Sequence, residues 1–212
     1  MKRILELGGV AAGVVLIAFG VAAIVLGFQG KHTVTQSLKW EQITGSPDMT
    51  PAQIRGEAKA AGLDLSKIAL PTCSVANKAV NSGARARCFA QYMRIHTLEA
   101  TGGQPYALMG RYATADGKGT NDISKALMSE GKPLDNPARN LWVTETALST
   151  ALNTSYMADQ LGNFGIVVGI ALFLSGFGFL ILAAGGALRG EMWFFGRRSV
   201  KDAAQPTKPV TA

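Results

Sequence analysis

The chain contains few of the residues from which catalytic and metal centres are usually built. Its 212 residues include only two cysteines and two histidines, and aromatic residues make up 8% of the sequence. The sequence also lacks a nucleotide-binding glycine loop, a nucleophile elbow, a zinc-ligand motif and a paired-carboxylate motif. We therefore expect a protein that is not an enzyme and that binds neither a cofactor nor a metal ion. We assign no chemistry to His96, because no partner motif accompanies it.

Charged residues are missing from two long stretches near the ends of the chain. Residues 7–30 and 162–188 contain no Asp, Glu, Lys, Arg or His, and about 20 apolar residues suffice for a helix to span a bilayer. The sequence therefore predicts two transmembrane helices. A pump or transporter is disfavoured, because ion pathways usually place charged residues at membrane depth. The alternative for the first stretch is a cleaved signal peptide, but the apolar core of a signal peptide has only about 7–15 residues.

Basic residues flank the outer ends of both apolar stretches. Lys2 and Arg3 precede the first stretch. The second stretch is followed by Arg189, Arg197, Arg198, Lys201 and Lys208. Because short segments rich in Lys and Arg stay in the cytoplasm, we predict a plasma-membrane protein with both termini inside and the middle segment outside. The net charge of +7 then mostly reflects topology, and we expect lipid rather than nucleic acid as a partner.

These features predict an integral membrane protein of mainly α-helical fold. Two transmembrane helices flank a small, mostly helical extracytoplasmic domain, for which an α+β fold is the alternative. The predicted segments are a cytoplasmic N-terminus (1–6), transmembrane helix 1 (7–30), the extracytoplasmic domain (31–137), an extracytoplasmic helical stalk (138–161), transmembrane helix 2 (162–188), and a cytoplasmic interfacial segment with a disordered tail (189–212). The stalk has no internal proline or glycine, so we expect one continuous helix from near Ala138 to near Leu188.

Glycines recur at helical spacing in both apolar stretches. The predicted helix-packing residues are Gly9, Gly13, Gly20 and Gly27 in the first stretch and Gly162, Gly165, Gly169 and Gly176 in the second. Small residues at this spacing let two helix backbones approach closely in lipid. We therefore predict a packing face on each span, which meets either the other span or a partner. The alternative is that glycine is simply more frequent in membrane helices.

Both cysteines, Cys73 and Cys88, lie in the middle segment. An even number of cysteines confined to a predicted extracytoplasmic region indicates one disulfide, which would stabilise the domain by ~3 kcal/mol in the chain-entropy model. Two buried free thiols or half of a metal site are the alternatives. The enclosed loop contains Lys78, Arg85 and Arg87, a candidate binding site for lipid headgroups, a cell-wall polymer or an acidic partner. An ordinary solvated loop is the alternative for these residues.

Local signals predict four elements within the middle segment. Thr50 opens a Thr-x-x-Gln capping box, which predicts a helix that runs to Ala61 and ends at Gly62. The predicted buried edge of this helix consists of Ile54, Ala58 and Ala61. Residues 32–36 are rich in β-branched side chains, which favours extended backbone. A second helix is predicted over 88–100 and a strand over 106–112.

Three functions remain compatible with these expectations. The leading hypothesis is a non-catalytic accessory, scaffold or assembly protein of the cell envelope, which binds other integral membrane proteins or itself through its helix-packing faces and its outer domain. The first alternative is an extracytoplasmic ligand-binding or sensor module, although the predicted cytoplasmic segments are too short for an output domain. The second alternative is a homo-oligomeric two-span channel, lined by backbone groups or apolar constrictions.

Overall fold

A computed structural model of the chain describes residues 2–185, with side chains described from Ile4 onward. The described residues are mostly helical, at 65%. The helices are α1 (Lys2–Trp40), α2 (Pro51–Ala60), α3 (Gly83–Ala100) and α4 (Pro137–Ala184), with short 3₁₀ helices at Tyr106–Leu108 and Ile123–Lys125. The strands are β1 (Met128–Ser129) and β2 (Lys132–Pro133). The predictions for the end of the second span and for segment 189–212 lie outside the described residues.

The described residues form two compact units. One contains the chain up to Leu26 together with the chain from Gly165 onward, and the other contains Gly27–Phe164. The first unit therefore consists of the apolar parts of α1 and α4. The second holds all the shorter elements, together with the polar end of α1 and the polar part of α4.

The helices α1 and α4 are both long and apolar enough to cross a membrane. In their most apolar windows, only 11% of α1 and 17% of α4 is buried within the chain. A core helix of a soluble protein would be mostly buried, whereas here large side chains such as Phe19 and Leu174 are exposed. Two exposed apolar helices of this length suggest a membrane location, as the uncharged stretches predicted.

The expectation of extended backbone over 32–36 is wrong, because α1 continues through this segment to Trp40. Leu38 is buried in the core of the second unit, and Val34, one helical turn earlier, packs against the same core. The hydroxyl of Thr33 donates a hydrogen bond to the carbonyl of Gln29, at 3.0 Å. Burial at helical spacing thus outweighs the β propensity of the local sequence.

The long helix predicted from Ala138 is confirmed over the described residues as α4. Asn136 caps its first turn, since its side-chain oxygen accepts a hydrogen bond from the backbone N–H of Ala138 at 3.1 Å. Pro137 then occupies the first helical position, where its missing N–H and fixed φ cost nothing. The side-chain amide of Asn136 also donates to the carbonyl of Gly110, at 3.0 Å, which ties the start of α4 to the preceding loops.

The helix start predicted at Thr50 is confirmed at α2, but the capping box is only half formed. Oε1 of Gln53 accepts from the hydroxyl of Thr50 at 2.9 Å, whereas the backbone N–H of Thr50 donates to the carbonyl of Asp48 at 2.6 Å. The hydroxyl of Thr50 accepts a hydrogen bond from the N–H of Gln53, and Gly62 follows the helix with a φ of +72°. Ile54 and Ala58 are fully buried, as predicted. The prediction for Ala61 is wrong: this residue lies past the end of α2 and is exposed. Leu63 is buried instead, because the left-handed turn at Gly62 redirects the chain toward the core.

The helix predicted over 88–100 exists, but it begins earlier, at Gly83. Its N-cap is Ser82, whose hydroxyl accepts a hydrogen bond from the N–H of Arg85 at 3.4 Å. Gly83 is also a point of close contact with α4, because a Cβ built there would lie 2.6 Å from the Cβ of Asp159. Residues 82 and 83 therefore form the start of a helix that packs against α4.

The strand predicted over 106–112 is wrong. The segment instead begins with a 3₁₀ turn at Tyr106–Leu108, and Tyr112 makes only isolated bridges to Thr120 and Asp135. Within the described residues the one regular sheet is the two-stranded antiparallel pair β1–β2. This region is thus a set of turns fixed by backbone hydrogen bonds and by Asn136, rather than the β layer of an α+β domain.

Candidate functional site

Gly20 of α1 and Gly169 of α4 face each other in the first unit. A Cβ built at Gly20 would lie 2.7 Å from the carbonyl oxygen of Gly169, and a Cβ built at Gly169 would lie 2.7 Å from the carbonyl oxygen of Gly20. Real Cβ atoms essentially never approach other atoms closer than 3.0 Å. The two backbones are therefore closer than any residue with a side chain would permit.

A second glycine pair repeats this contact. A Cβ at Gly13 would lie 2.9 Å from the carbonyl oxygen of Gly176, and a Cβ at Gly176 would lie 2.6 Å from that of Gly13. Each glycine is seven residues from its counterpart in the first pair, which is two helical turns or about 10.5 Å along each axis. From one glycine pair to the other, the residue number increases along α1 and decreases along α4. The two helices are therefore antiparallel. Of the other predicted packing residues in this unit, Gly9 is buried and Gly165 is half-buried.

Gly162, which belongs to the second unit, leaves room for the side chain of Lys31 and lies close to the backbone of Gly27. A Cβ at Gly162 would lie 2.7 Å from the Cγ of Lys31 and 3.0 Å from the carbonyl oxygen of Gly27. The ammonium of Lys31 lies 3.1 Å from a carboxylate oxygen of Asp159 and donates to the side-chain oxygen of Asn163 at 2.6 Å. This lysine thus links α1 to α4 through a charged and a neutral partner.

The predicted disulfide between Cys73 and Cys88 is confirmed. It joins the segment before α3 to the second turn of α3, across a sequence separation of 15 residues. Beside it, the hydroxyl of the fully buried Tyr92 donates a hydrogen bond to the carbonyl of Cys73 at 2.6 Å. Burial raises the pKa of this tyrosine above its ordinary value. The disulfide and this hydrogen bond together hold the segment that contains Cys73 against α3.

The three basic residues proposed as an anion-binding loop do not share one loop. Arg85 and Arg87 lie on α3, because that helix begins at Gly83. Arg85 donates to the carbonyl of Ala79 at 3.1 Å and to the side-chain oxygen of Asn81 at 2.8 Å. The guanidinium of Arg87 instead stacks over the ring of Tyr156, 4.7 Å from its centroid. Lys78 donates to a backbone carbonyl, so each of these cations already has a partner within the chain.

His96 lies at the centre of a polar cluster between α2 and α3. Its Nε2 atom is 3.6 Å from a carboxylate oxygen of Asp48, and its Nδ1 atom is 3.1 Å from Oε2 of Glu99. One ligand atom each from Asp48, Glu57 and His96 lie within 4.8 Å of one another, and all three residues are half-buried. Oε1 of Glu99 is buried and has no hydrogen-bond partner.

The carboxylates around His96 were not identified from the sequence. Asp48 belongs to the turn before α2, Glu57 to α2, and Glu99 to α3. They meet only because α2 packs against α3. The one local signal is the spacing of His96 and Glu99, which are three residues apart and therefore neighbours on one face of a helix.

No protein-family model, curated protein or solved structure matches this chain. Its function is therefore inferred from its own residues and contacts.

Proposed function

We propose that this chain is a non-catalytic accessory or assembly protein of the plasma membrane. In this proposal α1 and α4 form a paired membrane anchor, and the domain between them lies outside the membrane and binds other envelope proteins. The observation that carries the proposal is the close approach of Gly20 to Gly169 and of Gly13 to Gly176. In lipid, where apolar burial does not drive helices together, such backbone contact is a specific means of association.

The contacts of α1 support an uncleaved anchor over a signal peptide. Beyond its apolar part, α1 contributes Leu38 to the core of the second unit and the Lys31–Asp159 ion pair to its polar contacts. Cleavage after the apolar stretch would also remove the partners of Gly169 and Gly176 on α4. A segment that is normally discarded has no need of a register matched to that of α4.

The flanking charges and the disulfide support an extracytoplasmic position for the middle domain. Short segments rich in Lys and Arg remain in the cytoplasm, and both chain ends are of this kind. A disulfide persists in oxidising compartments and is rare in the cytosol. These two signals are independent of each other, and both support an extracytoplasmic middle domain.

The glycine pairs also bear on which surface of the protein would bind partners. Because the glycines of α1 and α4 contact each other within one chain, another protein that used them would first have to separate the two helices. We therefore assign partner binding to the domain and to the outward faces of the helices. This revises the expectation that the glycine stripes themselves bind a partner.

Cysteine labelling tests the proposed topology. In a variant without Cys73 and Cys88, single cysteines are introduced at Asp116 and at Ala203 and treated with a membrane-impermeant thiol reagent. We expect labelling of Asp116→Cys in intact cells and labelling of Ala203→Cys only after permeabilisation. The reverse pattern would place the middle domain in the cytoplasm and reject the proposed topology.

Native mass measurement of the detergent-extracted protein tests the proposed role. The accessory function predicts one copy, or a fixed small number of copies, bound to other polypeptides that recur between preparations. A ring of identical chains would indicate a channel, and a monomer that retains a small molecule would indicate a ligand-binding module. Either of those two results would replace the proposed function.

A further inference from the structure

We propose that Asp48, Glu57 and His96 bind a divalent transition-metal ion such as Zn²⁺, with Glu99 as the residue that orients the imidazole. The proposal assigns a site to residues that had no role in the interpretation of the sequence. It is independent of the membrane topology and of the accessory function proposed above. One imidazole nitrogen and two carboxylate oxygens form a ligand set that suits Zn²⁺ and related divalent ions.

The distances fit such an ion after small movements of the side chains. With metal–ligand bonds of about 2.0–2.2 Å, two ligand atoms of a tetrahedral ion lie about 3.4 Å apart. Nε2 of His96 and the nearest oxygen of Asp48 are 3.6 Å apart. The ligand atoms of the whole set lie within 4.8 Å of one another, so side-chain rotations that shorten the largest separation by up to about 1.4 Å would bring them to tetrahedral spacing.

The contact between His96 and Glu99 is the arrangement that an imidazole ligand needs. With Nδ1 of His96 protonated and 3.1 Å from Oε2 of Glu99, the lone pair of Nε2 points toward Asp48. Metal-bound histidines almost always donate their second ring N–H to a carboxylate, a carbonyl or a water, which fixes the tautomer and raises the basicity of the ligand. The carboxylate of Glu99 occupies this position from the same helix.

The balance of charge at the cluster also favours a bound cation. Among the described residues, no lysine or arginine forms an ion pair with Asp48, Glu57 or Glu99, and Oε1 of Glu99 is buried without a hydrogen-bond partner. The carboxylates of Asp48 and Glu57, which each place an oxygen within 4.8 Å of the other, repel one another when both are charged. A divalent cation bound between them and Nε2 of His96 would offset this repulsion.

Binding would connect separate elements of the domain. The ligands come from the turn before α2, from α2 and from α3, so an ion would hold α2 against α3 on a part of α3 distinct from that held by the disulfide. Three protein ligands leave a fourth tetrahedral position, which water or a side chain of a bound protein can occupy.

Metal titration of the full chain in detergent tests the site. The protein is prepared without a polyhistidine tag, stripped with a chelator, and titrated with Zn²⁺ by calorimetry. We expect one equivalent to bind, and Co²⁺ to give the visible absorption of a tetrahedral site. The variants Asp48→Asn, Glu57→Gln and His96→Ala should each weaken binding more than about tenfold, and Glu99→Gln should weaken it by about 10- to 100-fold.

His32→Ala is the matched control, because His32 is the other histidine of the chain and is exposed on α1. It should bind Zn²⁺ as the unaltered chain does. The proposal is overturned if the unaltered chain binds no Zn²⁺, or if the four site variants bind it as tightly as His32→Ala does. If a site variant does not fold, the Co²⁺ spectrum of the unaltered chain still decides, since absence of the tetrahedral absorption rejects the site.

Discussion

Replacement of Gly169 by alanine should loosen the pairing of α1 and α4. The new Cβ would lie 2.7 Å from the carbonyl oxygen of Gly20 and 2.9 Å from the backbone nitrogen of Ile24. Backbone atoms of a helix cannot rotate away as a side chain can, so the two helices must separate. Forcing an extra methyl group into a packed contact typically costs ~1–3 kcal/mol.

Gly178→Ala is the matched control for this change. Gly178 lies on the same helix and in the same unit, and a Cβ built there has no neighbour within 4 Å. Both substitutions improve helix propensity by up to ~1 kcal/mol, and this gain cancels in a comparison of the two variants. We therefore expect Gly169→Ala to be less stable than Gly178→Ala by ~1–3 kcal/mol.

Equilibrium unfolding in mixed micelles, followed by far-ultraviolet circular dichroism, measures this difference. Gly20→Ala should behave like Gly169→Ala, because its Cβ also meets backbone atoms, including the oxygen of Gly169. The double variant Gly20→Ala/Gly169→Ala should be destabilised by less than the sum of the two single variants. Helices that one added methyl group has separated accommodate the second methyl group more easily. Equal stability of Gly169→Ala and Gly178→Ala would refute the reasoning.

Two further predictions concern the domain between the helices. Replacement of Cys73 and Cys88 by alanine should lower the free energy of unfolding by ~3 kcal/mol in the chain-entropy model, and an unchanged stability in chemical denaturation would contradict that estimate. Hydrogen bonds from Ser66 and the ammonium of Lys67 lower the pKa of Asp64 from its ordinary 3.8 to about 2. Because this pKa is depressed in the folded state, the stabilisation is complete above about pH 4 and is lost as the pH falls toward 2. Ser66→Ala should raise the pKa of Asp64 in an NMR titration, whereas an unchanged midpoint would assign the shift to another cause.

Local signals sufficed for several elements of the fold. The hydroxyl of Thr50 and the glycine after α2 act within one helical turn, so their roles follow from the neighbouring sequence alone. The uncharged stretches likewise predicted the apolar parts of α1 and α4 from length and composition. The Cys73–Cys88 bond was predictable because the chain offers only one intramolecular pairing of two cysteines.

The errors arose where packing between distant segments decides the outcome. Residues 32–36 are helical because Val34 and Leu38 contact the core. Local propensity cannot predict such a contact between distant segments. Arg87 was predicted to lie in a polar loop, but it lies on α3 and stacks on Tyr156 of α4. The cluster around His96 was missed for the same reason, because its carboxylates come from three elements that meet only in the folded chain.

The spacing of the glycines bears on whether they serve one chain or two. In an antiparallel pair of helices, residue numbers that increase along one helix decrease along the other. If glycines recur at the same spacing on both helices and one pair is in contact, the next pair is therefore in contact as well. The pairs Gly13–Gly176 and Gly20–Gly169 satisfy this condition, with seven residues between them on each helix. A partner chain that used the same glycines would have to break both contacts and replace them. A partner at the outward faces of the helices, or at the domain, leaves both contacts intact. For this reason, a substitution that separates α1 from α4 should reduce stability first, and should affect partner binding only through that loss.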